Sequence, residues 1–448
     1  MADKKAETLN LLEDLLKKAK AAGATDADIV LADSSSVSVS RRNGEAESLI
    51  RSEEAEIGLR VFVGKKQAIV SSSDRAPDTL AQMAERAVAM AKNVPEDPYA
   101  GVASPDEIAK DFPDLELFDA TELDVAKMTE LADAAEDAAR AVKGVTNSDG
   151  AAFDTSRETV YYVASNGFAG DFSSSGFSIS VSVIAGQDTA METDYDFDST
   201  AFFADLKAPA EIGESAGRRA VAALNPRKGP TRQIPVVFDS RTSGGLIGSL
   251  AGAISGSMIV RGTSLLKNRM GEQVFASNVT VVDDPFLKRG HRSNPFDAEG
   301  ISPQKRNIID KGVLTSWLLD TSSARQLKLK STGNASRSAS SPPSPKPTNF
   351  YMLPGDKTVD ALIAGIDEGF FVTQMMGSGG NPVTGDYSRG ARGFWIEKGK
   401  IAYPVSEMTI AGNLKDMWMN MEAANDLVHR YGVDAPTVRI DGMTVAGA

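Results

Sequence analysis

The apolar residues near the start of the chain change from helical to alternating spacing. Leucine and alanine at helical spacing predict a first helix that ends at Gly23. Alternation then predicts a β-hairpin whose turn is the run 64–66, and a helix from about Pro77 to Asn93 closes the unit. The helical positions are Leu9, Leu12, Leu16 and Ala19, and the alternating ones are Ile57, Leu59, Val61 and Val63.

The same order of elements recurs further along the chain. A helix is predicted over 121–142, a strand with one apolar face over 177–183, and a helix over 209–224. The closing helices share the sequence Arg-Ala-Val-Ala, at 86–89 and again at 219–222. We therefore hypothesise that the N-terminal part contains a duplicated helix–sheet–helix unit.

A polar connector with two prolines, residues 225–230, predicts a boundary between an N-terminal domain over 1–225 and a C-terminal domain over 226–448. Turn sequences at 310–312, 397–400 and 441–442 divide the second domain into strands. We also expect an exposed loop over 331–347 and a long helix over 413–430. The predicted fold class is α+β, with an N-terminal helix and antiparallel-sheet domain and a β-rich C-terminal domain containing a glycine-rich helix.

Composition narrows the classes of function. The 448 residues include 61 acidic and 48 basic ones, a net charge of −13 that disfavours binding to nucleic acid or to anionic membranes. The chain has no cysteine, which excludes disulfides, thiolate catalysis and cysteine-ligated metal. Its first residues do not have the pattern of a signal peptide, so we expect a cytoplasmic protein.

The most unusual segment lies between Arg241 and Arg261, where nineteen successive residues carry no charge. Nine of them are glycine or serine, which argues against a membrane helix. Glycine at 248, 252 and 256 gives a helix face without side chains, at a cost of roughly 0.8–1 kcal/mol per glycine relative to alanine. Either close packing against the domain's own sheet or a surface for an extended peptide would explain that cost.

Several sequence blocks in this half resemble the TldD/PmbA peptidase family, in the family's order and approximate spacing. The blocks are 242–246, 261–264, 281–284, 296–300, 331–334 and 345–355. In the family's TldD type this segment carries a His-Glu-x-x-x-His helix for zinc, and a cysteine near the C-terminus is the third ligand. Counted back from Arg261, the corresponding positions here are Ile247, Gly248 and Gly252, none of which has a side chain that binds metal.

The resemblance therefore implies the PmbA (TldE) type, which pairs with a TldD-type zinc subunit to cut short or unfolded peptides. On this interpretation the chain has no catalytic residue, no metal and no cofactor of its own, and the zinc is in the partner subunit. The residues we expect along the substrate channel are Gly248, Gly252, Gly256 and Arg261. The alternative is a homodimeric peptide-binding or scaffold protein without a peptidase partner.

We interpret the other candidate metal-binding and catalytic residues as structural. His291 and His429 are far apart in sequence, and neither has a second histidine at metal-binding spacing. Ser215 lies in a Gly-x-Ser-x-Gly motif, but on a predicted helix rather than the strand and sharp turn that a hydrolase needs. The alternating Asp194, Asp196 and Asp198 resemble a calcium loop without its glycine, and we expect a solvated strand face.

Overall fold

The computed structural model describes residues 2–377 and 379–447. Between residues 26 and 200, six strands form one antiparallel sheet in the order β3-β2-β1-β4-β5-β6. The elements are α1 (Ala2–Ala21), β1 (Asp26–Arg42), β2 (Glu45–Val63), β3 (Lys66–Ser72), α2 (Pro77–Lys92), α3 (Val125–Ala141), β4 (Val145–Ala164), β5 (Ala169–Ala185), β6 (Glu192–Thr200) and α4 (Pro209–Ala222).

Each half of this sheet has the order helix, three strands, helix, and β1 pairs with β4 where the halves meet. Residues on one face of β1 contribute to two hydrophobic clusters. Leu31 packs in the cluster under α1 and α2, and Val39 packs in the cluster under α3 and α4. All four helices therefore lie on one face of the sheet. The duplication itself, like the boundary at 225, stays a prediction.

The described C-terminal part contains three further sheets, ordered β16-β15-β14-β7-β19-β17, β10-β9-β8-β13-β18 and β11-β12. Its elements are β7 (Arg232–Phe238), α5 (Ser240–Ala253), α6 (Gly256–Val260), β8 (Val281–Asp284), β9 (Arg306–Asp310), β10 (Val313–Leu314), α7 (Thr321–Leu327), β11 (Ala335–Ser336), β12 (Ser344–Pro345), β13 (Asn349–Met352), α8 (Val359–Ala364), β14 (Glu368–Met376), β15 (Asp386–Glu397), β16 (Lys400–Asn413), α9 (Leu414–Met419), β17 (Met421–Ala423), β18 (Val433–Asp434) and β19 (Val438–Gly447). The predicted α+β class with two domains is confirmed.

The long helix expected over 413–430 is wrong. The Asn413 side chain caps α9 by accepting the Lys415 amide, and the helix ends at Met419. Residues 421–423 then form β17 and pair with β19, which buries Met421 and Ala423 in the core. Strand pairing satisfies the backbone of this segment and buries its apolar side chains together, so the tertiary context overrides the helical pattern.

The exposed loop expected over 331–347 is also wrong. This segment contains the short hairpin β11–β12, and its Thr332, Asn334 and Ala335 are buried. The segment reaches the free face of the N-terminal sheet, where Ala339 packs so closely on Gly58 that a side chain at 58 would overlap it. Polar residues are buried here because they hydrogen-bond; the Asn334 amide, for example, donates to Asp283 at 2.7 Å.

Buried charges join the two domains at this contact. Arg337 pairs with Asp28 of β1, and both side chains are fully buried. Arg60 also donates to Asp28 from its Nε, at 2.8 Å, and lies 3.7 Å from Glu299. Although burial alone would raise the pKa of the Asp28 carboxyl, the two guanidinium groups hold that pKa below its usual value.

A second ionic contact involves the aspartates of β6 and three arginines of the C-terminal domain. Arg241 donates to Asp194 at 3.2 Å, and Arg392 bonds both Glu192 and Asp194. Arg430 donates to Asp196 at 3.3 Å. We call this group, together with Asp198, the β6 charge cluster.

The solvated strand face expected for these aspartates is therefore wrong. Asp194, Asp196 and Asp198 are only 4%, 4% and 8% exposed. The arginines that pair with Asp194 and Asp196 follow β6 by 40 or more positions in the chain, so alternation along the strand could not reveal them.

We predict that Asp196→Asn lowers the free energy of unfolding by about 3 kcal/mol at pH 7, because it leaves Arg430 buried without its counter-charge. Burial would raise the pKa of Asp196, but the Ser215 hydroxyl and Arg430 hold it below the usual value. The charge therefore stabilises the fold above about pH 4, the pKa range of an unfolded aspartate, and that contribution is lost as the pH falls through the lowered folded pKa. Urea unfolding of both proteins at several pH values measures this difference.

Glu214→Gln is the matched control, since Glu214 pairs with Arg218 on the surface with both side chains more than half exposed. That pair is worth under about 1 kcal/mol. Equal losses in the two variants, or a difference that does not shrink in acid, would contradict the role of the β6 charge cluster.

Candidate functional site

The helix α5 begins directly after the buried strand β7 and owes its start to Asp239. The Asp239 side chain accepts the Arg241 amide at 2.9 Å, and its carbonyl accepts the amides of Thr242 and Ser243. Acceptors at a helix N-terminus satisfy amides that have no partner within the helix. The cap fixes α5 over the core, with Leu246, Ile247 and Leu250 fully buried beneath it.

The other side of α5 carries almost no side chains. Gly245 and Gly252 are exposed and Gly248 is half-buried, at spacings of three and four residues that place them on one helix face. A Cβ atom added at Gly252 would have no described atom within 4 Å, and one at Gly248 would only touch Val433 at 4.0 Å. We call Gly245, Gly248 and Gly252 the glycine face.

Gly256, the third predicted channel residue, does not belong to this face. The helix ends at Ala253, and α6 starts anew at Gly256 after Ser255. A Cβ at Gly256 would overlap the Ser323 side chain, whose hydroxyl bonds Asp320. The structure therefore gives Gly256 a packing role, and the prediction of one helix face with glycine at 248, 252 and 256 is wrong.

Arg261 lies at the C-terminal end of α6. Its side chain is exposed, and its Nε donates to the Ser257 carbonyl at 3.0 Å. A cation at this end of a helix is favourably placed beside carbonyls that have no helical partner. A local contact thus accounts for Arg261, and its role toward a substrate stays a prediction.

One edge of the glycine face is formed by residues that the sequence analysis missed. A Cβ at Gly245 would lie 3.8 Å from Nη1 of Arg389 and 3.9 Å from Cε of Met375. Beside Arg389, the buried Tyr387 donates its hydroxyl to Sδ of Met375 at 3.3 Å, and burial raises the pKa of Tyr387 to about 12. Arg389 occurs in an ordinary strand sequence, so no motif could have indicated it.

A separate cavity of about 520 Å³ lies between the free face of the N-terminal sheet and the hairpin β11–β12. Glu54, Glu56 and Glu158 line its sheet side, and burial raises the pKa of Glu158. Its lining comes from β1, β2, β4 and β5 and from residues 294–298 and 335–339, so it is not part of the glycine face.

Family profiles match this architecture along most of the chain. The PmbA/TldA metallopeptidase domain 1 matches residues 27–91, the central domain matches 118–224 and the C-terminal domain matches 231–447. The metalloprotease PmbA of Escherichia coli O157:H7 is 37% identical over 95% of this chain and 94% of its own length. The chain belongs to the PmbA/TldD metallopeptidase family.

Solved structures related to this PmbA/TldD protein share its whole fold. A Bacteroides thetaiotaomicron protein, described as a candidate modulator of DNA gyrase, superposes with a TM-score of 0.91 at 28% identity and covers 99% of both chains. TldE from Thermococcus kodakarensis gives a TM-score of 0.87 at 22% identity, covering 98% of this chain and 100% of its own, which shows the likeness of fold.

The family name implies a metal, but the residues of this PmbA/TldD chain do not fit one at positions 247, 248 and 252, where the sequence resemblance places the zinc-binding residues of TldD-type members. Ile247 is fully buried in the core, and Gly248 and Gly252 have no donor atom. Across residues 2–377 and 379–447, no group of three or more histidine, aspartate or glutamate side chains could hold a metal ion. The chemistry of zinc ligands needs such donors, so no step is derived through a metal in this chain.

The other candidate residues have structural contacts. The His429 ring meets the edge of Tyr351 at a centroid distance of 4.7 Å, and burial lowers the pKa of His291. His429 follows β17 and is not in the helix predicted for it. Ser215 lies within α4, where its hydroxyl accepts a hydrogen bond from Nε of Arg219 at 3.2 Å. A helix interior is the wrong setting for a nucleophile elbow.

Alanine substitutions at Gly252 and Gly256 should change the free energy of unfolding in opposite directions. Gly252→Ala is expected to raise the free energy of unfolding by up to about 1 kcal/mol, because it removes glycine's entropy cost without a clash. Gly256→Ala should lower it by about 1–3 kcal/mol, because Ser323 is held by Asp320 and must shift. Urea denaturation of both variants tests this pair, and effects of the same sign would contradict the division of the glycines into an exposed face and a packing contact.

Proposed function

We propose that this chain is the zinc-free subunit of a TldD/TldE-type metallopeptidase complex. It holds short or unfolded peptides along the glycine face of α5, and a zinc-bearing partner subunit cleaves them. The cytoplasmic location expected from the sequence is part of this proposal. Among the helices of residues 2–377 and 379–447, none combines the length and hydropathy needed to cross a membrane.

One observation carries the proposal. At the helix where TldD-type members are expected to hold zinc, this chain keeps the helix and its cap but presents bare backbone at 248 and 252. Glycine is costly in a helix and no described atom packs on Gly252, so close packing against the described residues does not account for it. An exposed strip of backbone is a surface on which an extended chain can lie, because no side chain keeps it away.

The relatives support the pairing. A TldD homologue of Buchnera aphidicola is 29% identical over 252 residues, about half of each chain. Metalloproteases named PmbA match over nearly their full length. Two related chain types, PmbA and TldD, are what a peptidase built from two kinds of subunit requires.

The first test is assembly. We expect this chain, purified with a His-Glu-x-x-x-His subunit from the same genome, to form a stable stoichiometric complex in light scattering. Elemental analysis should find zinc in the partner, and a chelator should abolish cleavage of an unfolded peptide by the complex. A chain that remains a homodimer beside that subunit would favour the peptide-binding or scaffold alternative. Tightly bound zinc and chelator-sensitive cleavage in the isolated chain would contradict the proposal.

The second test places bulk on the glycine face. Gly252→Leu should fold normally, because no described atom lies within 4 Å of the new Cβ, yet lower kcat/KM of the assembled pair by about tenfold or more. The control is Glu85→Leu, an exposed position of α2 remote in sequence from α5. Unchanged cleavage by a folded, assembled Gly252→Leu protein would exclude the glycine face as the path of the peptide.

A further inference from the structure

We infer that Arg389 binds a carboxylate of the peptide substrate at the end of the glycine face nearest Gly245. This inference rests on the proposed function and adds to it the chemical group that the chain recognises. Its grounds are the position of the guanidinium, its lack of a counter-charge and the length of the face beside it.

The position of the Arg389 guanidinium is set by the strands β15 and β14. In β15, Arg389 pairs with Ile410 of β16, and Met375 lies on the neighbouring strand β14 opposite Ala391. This sheet places Nη1 of Arg389 3.8 Å from where a Cβ of Gly245 would be. Because Gly245 has no side chain and is exposed, it does not cover the guanidinium on that side.

The charge of Arg389 is not compensated within the structure. The three arginines of the β6 charge cluster each bond a carboxylate, as described above. Among residues 2–377 and 379–447, by contrast, no carboxylate lies within ion-pair distance of Arg389, and its buried Nε has no hydrogen-bond partner.

The polar neighbour of Arg389 does not supply the missing charge. The Tyr387 hydroxyl beside it is neutral at ordinary pH, because burial raises its pKa to about 12. A half-buried guanidinium without an anion is unfavourable, and its planar donors match the two oxygens of a carboxylate. The site is therefore complete when an anionic ligand is present.

The length of the glycine face indicates how far along the peptide the carboxylate lies from the contact with Gly252. Gly245 and Gly252 are seven positions apart, so the face is about 10 Å long in a helix that rises about 1.5 Å per residue. An extended peptide advances about 3.3 Å per residue and would place about three residues along it. The carboxylate is then either the C-terminus of the substrate or an acidic side chain about three residues from the contact with Gly252.

The experiment compares peptides that differ only in this group. One unfolded peptide is prepared with a free C-terminus, with an amidated C-terminus, and with an amidated C-terminus plus one internal aspartate. Binding to the isolated chain is measured by fluorescence anisotropy, and KM and kcat are measured for the assembled pair. Arg389→Gln should weaken binding and raise KM by about tenfold for the peptide with the recognised carboxylate, and leave the neutral amidated peptide unchanged.

Three further variants keep the result interpretable. Arg389→Lys should restore part of the affinity, because it keeps the charge but loses the bidentate geometry. Gly245→Leu should weaken binding of all three peptides, because it places bulk on the glycine face as well as covering the guanidinium, and its Cβ meets only ordinary contacts. Arg269→Gln is the matched control, since Arg269 is exposed and pairs with Glu272.

The outcomes separate this inference from the proposed function. If no complex or cleavage is found but the isolated chain still loses carboxylate-dependent binding in Arg389→Gln, the pairing fails and the inference stands. If the pair cleaves peptides and Arg389→Gln affects charged and neutral peptides equally, or neither, the inference is overturned. It is overturned as well if the wild-type isolated chain binds no peptide.

Discussion

The arrangement of this molecule depends on charges that are buried between its two domains. Asp28 and Arg337 meet on the free face of the N-terminal sheet, and β6 meets Arg241, Arg392 and Arg430 at the sheet's edge. Pairs of this kind add little net stability over apolar contacts, but breaking one leaves an uncompensated charge in a place without water. They therefore determine which relative position of the domains is allowed. Arg241 is in the first turn of α5, so the β6 charge cluster and the glycine face share one helix.

That connection explains why the exposed side of α5 is well defined although it has few side chains. Asp239 fixes the start of the helix, Leu246, Ile247 and Leu250 fix its buried side, and Gly244 lies so close to the Val433 carbonyl that a Cβ there would approach its oxygen to 2.6 Å. A rigid strip of backbone results. Rigidity matters for a surface that binds an extended chain, because a rigid surface loses less conformational entropy on binding than a mobile one.

Residues whose structure is set by nearby sequence could be predicted. Alternation in β2 and β5, helical periodicity in α1 and α4, and the turn at 64–66 gave the elements and the fold class from local patterns. The pattern could not give the partners of charged residues distant in sequence. Asp194, Asp196 and Asp198 have the sequence of a solvated strand but are buried. Asp194 and Asp196 pair with three arginines more than 40 positions away, and Asp198 accepts the Lys207 amide. The prediction of an exposed loop over 331–347 was wrong for the same reason. Hydroxyl and amide side chains are hydrophilic, but they can be buried once their hydrogen bonds are made within the protein.

Two members of the glycine face, Gly248 and Gly252, were noted from the sequence, and Gly245 was not. Glycine at 248 and 252 is visible as a period, but the difference between exposed Gly252 and packed Gly256 depends on Ser323, about 70 positions later. Arg389 depends on a strand pairing that no motif marks.

The pairing of Asp28 with Arg337 spans 309 positions of the chain. During synthesis, the strand that carries Asp28 leaves the ribosome long before the arginine that covers it, and Arg60 is the cation that reaches it early. Until three quarters of the polypeptide has been translated, the Asp28 carboxylate therefore has only the first of its two arginine partners, and Gly58 is uncovered. Contacts of such long range slow the completion of folding, because a long loop must close before the pair forms.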